Sequence, residues 1–302
     1  MSIKAFLIPQ LNRPATHERV PVFPAGEAIP RVIHQIGMRP AFQKQQLPPR
    51  LQENVEQLRA LNPEWEYRFW DDDAIAAFIQ ENYSAQVWRL YQRIDPRYGA
   101  SRADMFRYLL MYKAGGVYLD IKSGAKLPFD SVIQPDDRFI LSQWNTSDGK
   151  HHNWGMQHDV RNVLGGEYQQ WHIMCAPGHP FMKAVVEAVL ANISAYDPYL
   201  HGTGKPGVLR LTGPSAYTLA IERIRSLHQH RRVEGHDRLG LEYNILSSAN
   251  QSHVPLFKGH YSLQTAPIVR LGIFKRAPSQ GYRLAQFVQQ KLHARAAARS
   301  QT

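Results

Sequence analysis

Three charged side chains, Asp104, Arg107 and Asp120, have the types and spacing needed to bind a charged ligand. Asp104 and Arg107 are three residues apart, so on a helix they share one face. Asp120 directly follows the apolar run Val117–Leu119, which predicts a buried strand that ends at this carboxylate. Ligands of open α/β sheets bind at that end, where a carboxylate can hold a divalent cation and, through it, a diphosphate. Taken singly, the same residues could be an exposed ion pair and an ordinary aspartate.

The residues around these charges predict a helix, a sharp stop and a strand. Ser101 is a suitable N-cap, and Asp104 would complete a capping-box-like pattern three residues later. Apolar residues from Phe106 to Leu110 then recur at helical spacing. Gly115 and Gly116 end the helix, because glycine adopts the left-handed conformation that follows a helix C terminus.

Segments with strand-like and helix-like patterns alternate along the rest of the chain. Strands are predicted at residues 31–36, 66–70, 139–141 and 173–176, helices at residues 47–61, 72–82, 83–95 and 181–193, and a flexible turn at residues 203–207. Strands that alternate with helices are typical of a mainly parallel sheet covered by helices. The predicted fold class is therefore α/β.

The central stretch resembles the sugar-binding region of the DXD glycosyltransferases, a family that includes yeast initiating mannosyltransferases and bacterial capsule and lipopolysaccharide glycosyltransferases. The pattern of that family is a helix with R-A-D-x-x-R-Y, followed by G-G-x-Y-x-D-x-D. The matching residues are Arg102-Ala103-Asp104, Arg107-Tyr108, Gly115-Gly116, Tyr118 and Asp120. Two upstream segments, Ile29–Ile36 and Asn62–Asp72, match the family as well.

The resemblance implies a GT-A-type, Rossmann-like nucleotide-sugar-binding fold with helical insertions. It implies transfer of a hexose from a UDP- or GDP-sugar to a hydroxyl group of a surface polysaccharide or glycolipid, with retention of the anomeric configuration. In that reaction Asp104 and Arg107 would bind sugar hydroxyls, and Tyr118 would line the donor pocket. Asp120 would hold a Mn²⁺ or Mg²⁺ ion together with the diphosphate.

Two positions depart from the pattern of the family. Lys122 stands where the second aspartate of the D-x-D pair is expected, and Gly37 replaces a tryptophan expected to pack near the nucleotide base. Lys122 has two interpretations: its ammonium group takes over part of the cation's charge and contacts phosphate, or it points away. In the second case Asp120 and His260 would hold the cation. An ordinary loop histidine is the alternative for His260.

The resemblance implies further donor-binding residues, each with a structural alternative. His34 and Gln35 would form a wall of the nucleotide pocket, although His34 taken alone is better explained as a core histidine. Thr212 and Gly213 belong to a T-G-P motif whose free N–H groups favour an anion or a sugar hydroxyl. A plain helix start with proline in its first turn explains the same motif. Lys258 would neutralise phosphate charge.

Residues 144–171 are polar, contain glycine and are rich in histidine and tryptophan. A stretch of this length with neither helix nor strand pattern predicts a long active-site loop. The histidines in and beside it are His151, His152, His158 and His172. A metal site is the less favoured interpretation, because no pair of these histidines has the spacing of helical metal ligands. Asn162 is a candidate for shaping the donor or acceptor side, by resemblance to the family.

The composition favours a globular protein with anionic partners. The chain has 302 residues, enough for a sizeable core, and its single cysteine, Cys175, suits a reducing compartment. The formal net charge of +11 favours a membrane surface, an anionic glycolipid or phosphorylated substrates. Nucleic acid is not expected, since no nucleic-acid-binding signature is present. No stretch approaches the roughly 20 apolar residues that span a bilayer.

Three regions are predicted along the chain. Residues 1–28, rich in proline and polar side chains, form an extended lead-in, and residues 29–281 form the glycosyltransferase domain. Residues 282–302 form a basic amphipathic helix that contacts an anionic membrane; a packed C-terminal helix with a frayed end is the alternative. No signal peptide is visible, so we expect a cytoplasmic location, peripheral on the inner membrane face.

Two other classes of function compete with the transferase. One is a non-catalytic sugar-nucleotide- or glycan-binding protein that kept the fold and lost the second carboxylate. Asp104, Arg107 and Asp120, all present in register, favour the enzyme over it. The other is a basic peripheral-membrane or nucleic-acid adaptor, which steeply salt-dependent binding would reveal.

Overall fold

The computed structural model describes residues 11–12, 18–38, 47–145, 151–246 and 264–272. Within these ranges the chain forms a six-stranded sheet with helices on both faces, so the predicted α/β class is confirmed. The strands are β1 (Val32–Ile36), β2 (Glu66–Trp70), β3 (Gly116–Leu119), β4 (Gly124–Ala125), β5 (Phe139–Gln143), β6 (His172–Cys175), β7 (Arg231–Glu234) and β8 (Leu241–Glu242). The α-helices are α1 (Pro49–Leu61), α2 (Asp72–Asn82), α3 (Ala85–Arg93), α4 (Gly99–Ala114), α5 (Phe129–Val132), α6 (Pro180–Ala195), α7 (Pro198–His201), α8 (Gly204–Leu211) and α9 (Pro214–Glu222).

The sheet has the strand order β2-β1-β3-β6-β5-β7. Strand β1 is parallel to both β2 and β3, whereas β6 is antiparallel to its neighbours β3 and β5. Strands β4 and β8 form a separate antiparallel pair. The end of β3, the end of β1 and the start of β6 therefore meet at one edge of the sheet.

Strand β3 lies in the middle of the sheet with both faces buried. Because side chains alternate along a strand, Val117 and Leu119 share one face, where they pack in one cluster with Ile33 of β1 and Leu58 of α1. The intervening Tyr118 faces the other cluster, which contains helix α4. The apolar run that predicted a central strand thus has a covering layer on each side.

Helix α4 starts earlier than the sequence predicts. It begins at Gly99, so Ser101 lies buried in the first turn, and its assignment as N-cap is wrong. The start is set by Tyr98, which is fully buried and donates its hydroxyl hydrogen to the carbonyl of Ala266 (2.5 Å). Asp104 makes no capping box, because its carboxylate is bound by other side chains.

The two glycines after α4 are required by backbone conformation and by space. Gly115 has φ 63° and Gly116 has φ 99°, both in the region that favours glycine, and the predicted stop after Ala114 is confirmed. A Cβ atom on Gly115 would lie 2.5 Å from the backbone nitrogen of Pro177. The chain can therefore turn from α4 directly into β3.

Residues 204–207 form the start of a helix with Thr203 as its N-cap, so the prediction of a flexible turn at residues 203–207 is wrong. Helix α8 starts at Gly204, and Pro206 lies in its first turn, where proline fits a helix. A Cβ atom on Gly207 would lie 2.7 Å from both the carbonyl oxygen of Gly202 and Cδ1 of Ile268. The glycines that suggested flexibility serve close packing instead.

The histidine- and tryptophan-rich region is irregular in its described part, as predicted for a loop. Residues 151–171 contain turns and one short 3₁₀ helix, His158–Val160, before β6 begins. An isolated bridge pairs Gln143 with Tyr168 and holds the end of this region against β5. None of the helices in the described ranges is long and apolar enough to cross a membrane.

The last described segment, residues 264–272, returns to the start of α4. The backbone N–H of Asp95 donates to the carbonyl of Ile268 (2.8 Å), and that of Arg270 donates to the carbonyl of Arg93 (2.7 Å). Ile268 is fully buried in the same core cluster as α4. This segment therefore supports the turn from which α4 begins.

Candidate functional site

The site forms at the C-terminal end of β3. Asp120 is the first residue after the strand, and its backbone N–H donates to the carbonyl of Trp171, 2.8 Å away. Gln35 of β1 donates through Nε2 to the carbonyl oxygens of Asp120 (3.3 Å) and Ser123 (3.5 Å). The hydroxyl of Tyr67 in turn donates to Gln35 Oε1 (2.9 Å). Residues of β1 and of the segment that leads into β6, the two neighbours of β3 in the sheet, thus fix the backbone around Asp120.

The guanidinium group of Arg107 occupies the centre of the site. Its Nη2 lies 3.0 Å from Asp104 Oδ1, and its Nη1 lies 3.0 Å from Asp120 Oδ1. Nη1 also donates to the carbonyl of Gln170 (2.9 Å), and the guanidinium carbon lies 4.8 Å from the centre of the Tyr118 ring. Only 6% of the side chain is exposed. One planar cation therefore joins two carboxylates, a task for which the fork of a guanidinium is suited.

Both carboxylate oxygens of Asp104 are bound by protein groups. Oδ1 contacts Arg107 and accepts from Nε2 of Gln170 (3.2 Å), while Oδ2 accepts from the hydroxyl of Thr212 (2.9 Å). Burial raises the pKa of Asp104 to about 6, although Arg107 and Thr212 act to lower it. Asp104 is thus placed to hold Arg107, and its direct contact with a sugar hydroxyl stays a prediction.

Asp120 keeps one carboxylate oxygen available. Its Oδ1 accepts from the hydroxyl of Tyr118 (2.9 Å) and from Arg107 (3.0 Å), and 24% of its side chain is exposed. Oδ2 has no hydrogen-bond partner within the described ranges. The same ranges contain no group of three or more histidine, cysteine, aspartate or glutamate side chains that could hold a metal ion. Asp120 still fits a cation bound mainly by substrate phosphates, since Mg²⁺ in such sites needs only one or two protein carboxylates.

Lys122 is a buried cation held by an aromatic ring. Its Nζ donates to the hydroxyl of Tyr243 (2.9 Å) and lies 4.1 Å from the centre of that ring. Burial lowers the pKa of Lys122 to about 8, although the charge of Asp120 acts to raise it. The geometry shows the Lys122 ammonium group held by Tyr243 and not turned to solvent. Its contact with phosphate, in place of part of the cation's charge, stays a prediction. Lys122 is an anchored cation in the electrostatic field of Asp120.

His34 has the environment of a core histidine. The ring is fully buried, its Nε2 lies 3.1 Å from the carbonyl oxygen of Gly115, and its Nδ1 accepts from Nε1 of Trp70 (3.2 Å). Burial lowers the pKa of His34 to about 4. Both ring nitrogens are therefore bound by protein, which favours the structural alternative for His34, whereas Gln35 supports the site directly.

The T-G-P motif reaches the site through the side chain of Thr212. The Thr212 hydroxyl binds Asp104, and its carbonyl accepts from the hydroxyl of Tyr108 (2.9 Å). Gly213 is the N-cap of α9, which starts at Pro214, so the predicted helix start is confirmed. The backbone N–H groups of Thr212 (3.1 Å) and Gly213 (2.9 Å) donate to the carbonyl of Val208 and are not the free groups expected for an anion. The donor-binding role of Gly213 stays a prediction.

Gln170 and Tyr243 are site residues that sequence reasoning missed. Besides its bond to Asp104, Gln170 accepts through Oε1 from the hydroxyl of Tyr108 (3.2 Å). Tyr243 accepts from Lys122 and, through its carbonyl, from the hydroxyl of Ser123 (2.8 Å). The polar residues that directly precede β6 were the available signal for Gln170. Nothing in the sequence pattern marks Tyr243.

A cavity of about 500 Å³ lies between β2 and the helices α1 and α2. It is lined by Leu47, Gln52, Val55, Tyr67, Phe69, Asp71 and Ala74. The Tyr67 hydroxyl on its wall binds Gln35, which binds the backbone of Asp120. The cavity wall is thus linked through two hydrogen bonds to the backbone of Asp120 at the end of β3.

Several candidates from the sequence are not brought into the site. Lys258, His260 and the predicted helix at residues 282–302 lie outside the described residues. Asn162 is exposed, and no structural contact ties it to Asp120. His172 is fully buried in β6, where its Nε2 lies 2.8 Å from the Ser142 hydroxyl.

The comparison with known families confirms the resemblance drawn from the sequence. Residues 48–139 match the family described as "Glycosyltransferase sugar-binding region containing DXD motif". This segment includes α4, β3 and the carboxylates that Arg107 joins. Lys122, which replaces the second aspartate of the motif, also lies within it.

Fungal mannosyltransferases are among the similar proteins. The chain is 34% identical over 191 residues to inositol phosphoceramide mannosyltransferase 1 of Schizosaccharomyces pombe. The aligned segment covers 62% of this chain and 50% of the relative. The chain is 28% identical over 138 residues to the initiation-specific alpha-1,6-mannosyltransferase of Candida albicans, covering 42% of this chain and 34% of the relative. The chain spans half or less of the length of these curated relatives. The UDP-bound glycosyltransferase domain from the YGT toxin is a similar solved structure, with a TM-score of 0.48 and 9% identity over 74% of this chain and 83% of that chain.

Proposed function

We propose that this chain, whose residues 48–139 carry a DXD-type sugar-binding region, is a glycosyltransferase that moves a hexose from a UDP- or GDP-sugar to a hydroxyl group. One observation carries the proposal: Arg107 is buried between Asp104 and Asp120 at the end of a central strand. Burying charges is costly even when they are paired, so their presence here favours a functional role over a stabilising one. They also lie at the sheet edge where α/β proteins bind ligands.

The charges of the site suit a leaving diphosphate. Transfer breaks the bond between the sugar and the diphosphate, so negative charge grows on the leaving oxygen and cations placed there stabilise the transition state. Arg107 is neutralised by Asp104 and Asp120, so its part is to fix the position of the Asp120 carboxylate. Excess positive charge at the diphosphate would come from Lys122, which Tyr243 anchors, and from a divalent cation.

A divalent cation fits this arrangement. Oδ2 of Asp120 would bind a Mn²⁺ or Mg²⁺ ion, with the donor phosphates as further ligands and His260 as the predicted second protein ligand. When bound, the ion would supply Lewis-acid charge at the diphosphate. Lys122 supplies part of the same charge, so we propose a weaker dependence on metal than two aspartates would give.

The cavity between β2 and the helices α1 and α2 suits the nucleoside part of the donor. Aromatic side chains of Tyr67 and Phe69 line it, and ligand sites are typically apolar cavities with a few placed polar groups. Its volume of about 500 Å³ falls within the usual range for such sites. A donor that spans from this cavity to Asp120 would place its diphosphate at the cations.

We further propose a glycolipid or glycan as the acceptor, transfer with retention, and a cytoplasmic location at the inner membrane face. The names of the relatives support a lipid-linked acceptor, since the S. pombe relative is named for inositol phosphoceramide. The net charge of +11 supports contact with an anionic surface. The predicted basic helix at residues 282–302 would strengthen that contact.

The test of the transferase is hydrolysis of a panel of UDP- and GDP-hexoses, with Mn²⁺ and then with EDTA. We expect turnover of one donor, and a loss of at least about 100-fold for Asp120→Asn. Asp136→Asn, which changes an exposed aspartate, is the matched control and should equal the wild type. Turnover that continues in EDTA would indicate that Lys122 has taken over the role of the divalent cation.

A non-catalytic sugar-nucleotide-binding protein is the second candidate, and the loss of the second aspartate at Lys122 favours it. Calorimetric binding of the same donors separates the two. Binding without turnover, even when simple glycosides are added as acceptors, would replace the enzyme by a binding protein. Absence of both would refute both proposals and leave the adaptor, whose mark is salt-dependent binding to DNA or anionic vesicles.

A further inference from the structure

A cluster of aromatic rings lies on the other side of Asp120 from the cavity. The aromatic cluster consists of Trp144, His151, Trp154, Trp171, His236 and Tyr243. Its ring centres are separated by short distances, such as 4.8 Å between Trp144 and Trp154 and 5.2 Å between Trp171 and Tyr243. Trp144 and Trp171 are largely buried, whereas Trp154, His151 and Tyr243 are half-buried and form the outer part of the cluster.

The position of the cluster follows from the strand order. Trp144 comes directly after β5 and Trp171 directly before the antiparallel β6, so both lie at the edge where β3 ends. The cavity lies between β2 and the helices α1 and α2. Asp120, after β3, therefore stands between the cavity and the aromatic cluster.

The cluster is linked to the charged site by hydrogen bonds. The carbonyl of Trp171 accepts from the backbone N–H of Asp120 (2.8 Å), and the Tyr243 hydroxyl accepts from Lys122 (2.9 Å). A molecule that contacts these rings would thus lie next to the backbone of Asp120 and the side chain of Lys122.

Buried polar atoms without partners lie in and beside the cluster. Trp171 is 4% exposed and Glu167 is 6% exposed. Trp171 Nε1 has no hydrogen-bond partner among the described residues, and Glu167 Oε2, whose polar neighbour is the side chain of Gln157, completes no hydrogen bond there. Glu167 Oε1 is fixed by Nε1 of Trp144 (2.9 Å), which orients the carboxylate. Asn244, next to Tyr243, has an unpartnered Nδ2 in the same part of the chain. Buried polar atoms are normally paired, so such a group of donors and an acceptor points to a bound molecule.

We propose that the aromatic cluster, with Glu167 and Asn244, binds a polyhydroxylated six-membered ring, the acceptor part of the substrate. A hexopyranose or an inositol has flat faces of C–H groups, which suit aromatic rings, and a rim of hydroxyl groups. Those hydroxyls can donate to Glu167 Oε2 and accept from Trp171 Nε1 and Asn244 Nδ2. The proposal rests on the proposed transferase, and it places donor and acceptor on opposite sides of Asp120.

The first experiment measures binding of two probes, methyl α-D-mannopyranoside and myo-inositol, by ligand-observed NMR titration of the full chain. The two probes distinguish a sugar acceptor from an inositol headgroup. We expect the wild type to bind one of them, and Trp154→Ala to weaken that binding at least tenfold. Trp88→Ala is the matched control, because Trp88 is also half-buried but its ring stacks on Tyr91 in α3 and not on a ring of the aromatic cluster.

A second variant, Glu167→Gln, tests the same inference in case Trp154→Ala does not fold. Glu167→Gln keeps an oxygen for Trp144 Nε1 and replaces the second carboxylate oxygen by an amide group. We expect it also to weaken probe binding at least tenfold while its near-ultraviolet circular dichroism matches that of the wild type. Binding of the UDP- or GDP-hexose should change less than twofold in both variants.

Two results would overturn the inference. One is the absence of binding of either probe by the wild type, and the other is equal probe affinity of Trp154→Ala, Glu167→Gln and Trp88→Ala. Failure of the transferase itself looks different. In that case the nucleotide sugars would not bind, while the probes would still bind in a Trp154-dependent way.

Discussion

The buried carboxyl group of Asp104 makes the stability of the fold depend on pH in a calculable way. Its pKa is about 6 in the folded chain and 3.8 as the reference value, because burial outweighs the attraction of Arg107. A folded-state pKa above the unfolded value contributes stability that is complete below the unfolded pKa and is lost as the pH rises through the folded pKa. The shift of about two units corresponds to a total loss of about 3 kcal/mol. About 2 kcal/mol of it falls between pH 4.5 and pH 7.5.

The perturbation that isolates this effect is Asp104→Asn, which resembles the protonated carboxyl group at every pH. Urea unfolding monitored by tryptophan fluorescence gives the free energy of unfolding of both proteins at pH 4.5 and pH 7.5. We expect the wild type to lose about 2 kcal/mol relative to Asp104→Asn across that interval. Asp136→Asn, at an exposed position, should follow the wild type. A wild-type curve parallel to that of Asp104→Asn within about 0.5 kcal/mol would refute the assignment of a raised pKa to Asp104.

Three further predictions concern neighbouring groups. Arg107→Lys should lower donor hydrolysis at least about 100-fold, because one ammonium group cannot join two carboxylates as a fork does; unchanged kcat would contradict this. Gly115→Ala should lower the free energy of unfolding by more than about 2 kcal/mol, because its φ of 63° and its contact with Pro177 exclude a Cβ atom. The control Gly99→Ala, with open space around the residue, should not destabilise the fold. Equal urea midpoints of the two variants would contradict this packing. Donor affinity should fall as the pH rises past about 8, where Lys122 loses its charge, and Lys122→Arg should remove this fall in a calorimetric titration.

Local signals account for what could be predicted from the sequence. The boundary between α4 and β3 is marked by Gly115 and Gly116, and the strand is marked by the apolar run Val117–Leu119. Its position therefore follows from neighbouring residues alone. The same holds for the helix that starts at Pro214. Ser101 shows where such signals fail: a suitable cap residue was overridden because burial of Tyr98 started the helix earlier.

The parts of the site that could not be predicted depend on distant contacts. Gln170 reaches Asp104 across 66 positions, and Tyr243 reaches Lys122 across 121 positions. A local sequence pattern does not indicate which distant segments of the chain meet at the same edge of the sheet. The role of Thr212 was available only from the resemblance, and the structure supplies its physical reason, a hydrogen bond to the buried Asp104.

The return of residues 264–272 to the start of α4 has a consequence for synthesis of the chain. Tyr98 and Ala266 are 168 positions apart, and their hydrogen bond belongs to the turn from which the helix of Asp104 and Arg107 begins. A ribosome releases the chain from the N terminus onward, so the first strands emerge long before this support exists. The sugar-binding region therefore cannot reach its final form until nearly the whole described chain has left the ribosome. Contacts between residues so far apart in sequence also favour slow folding.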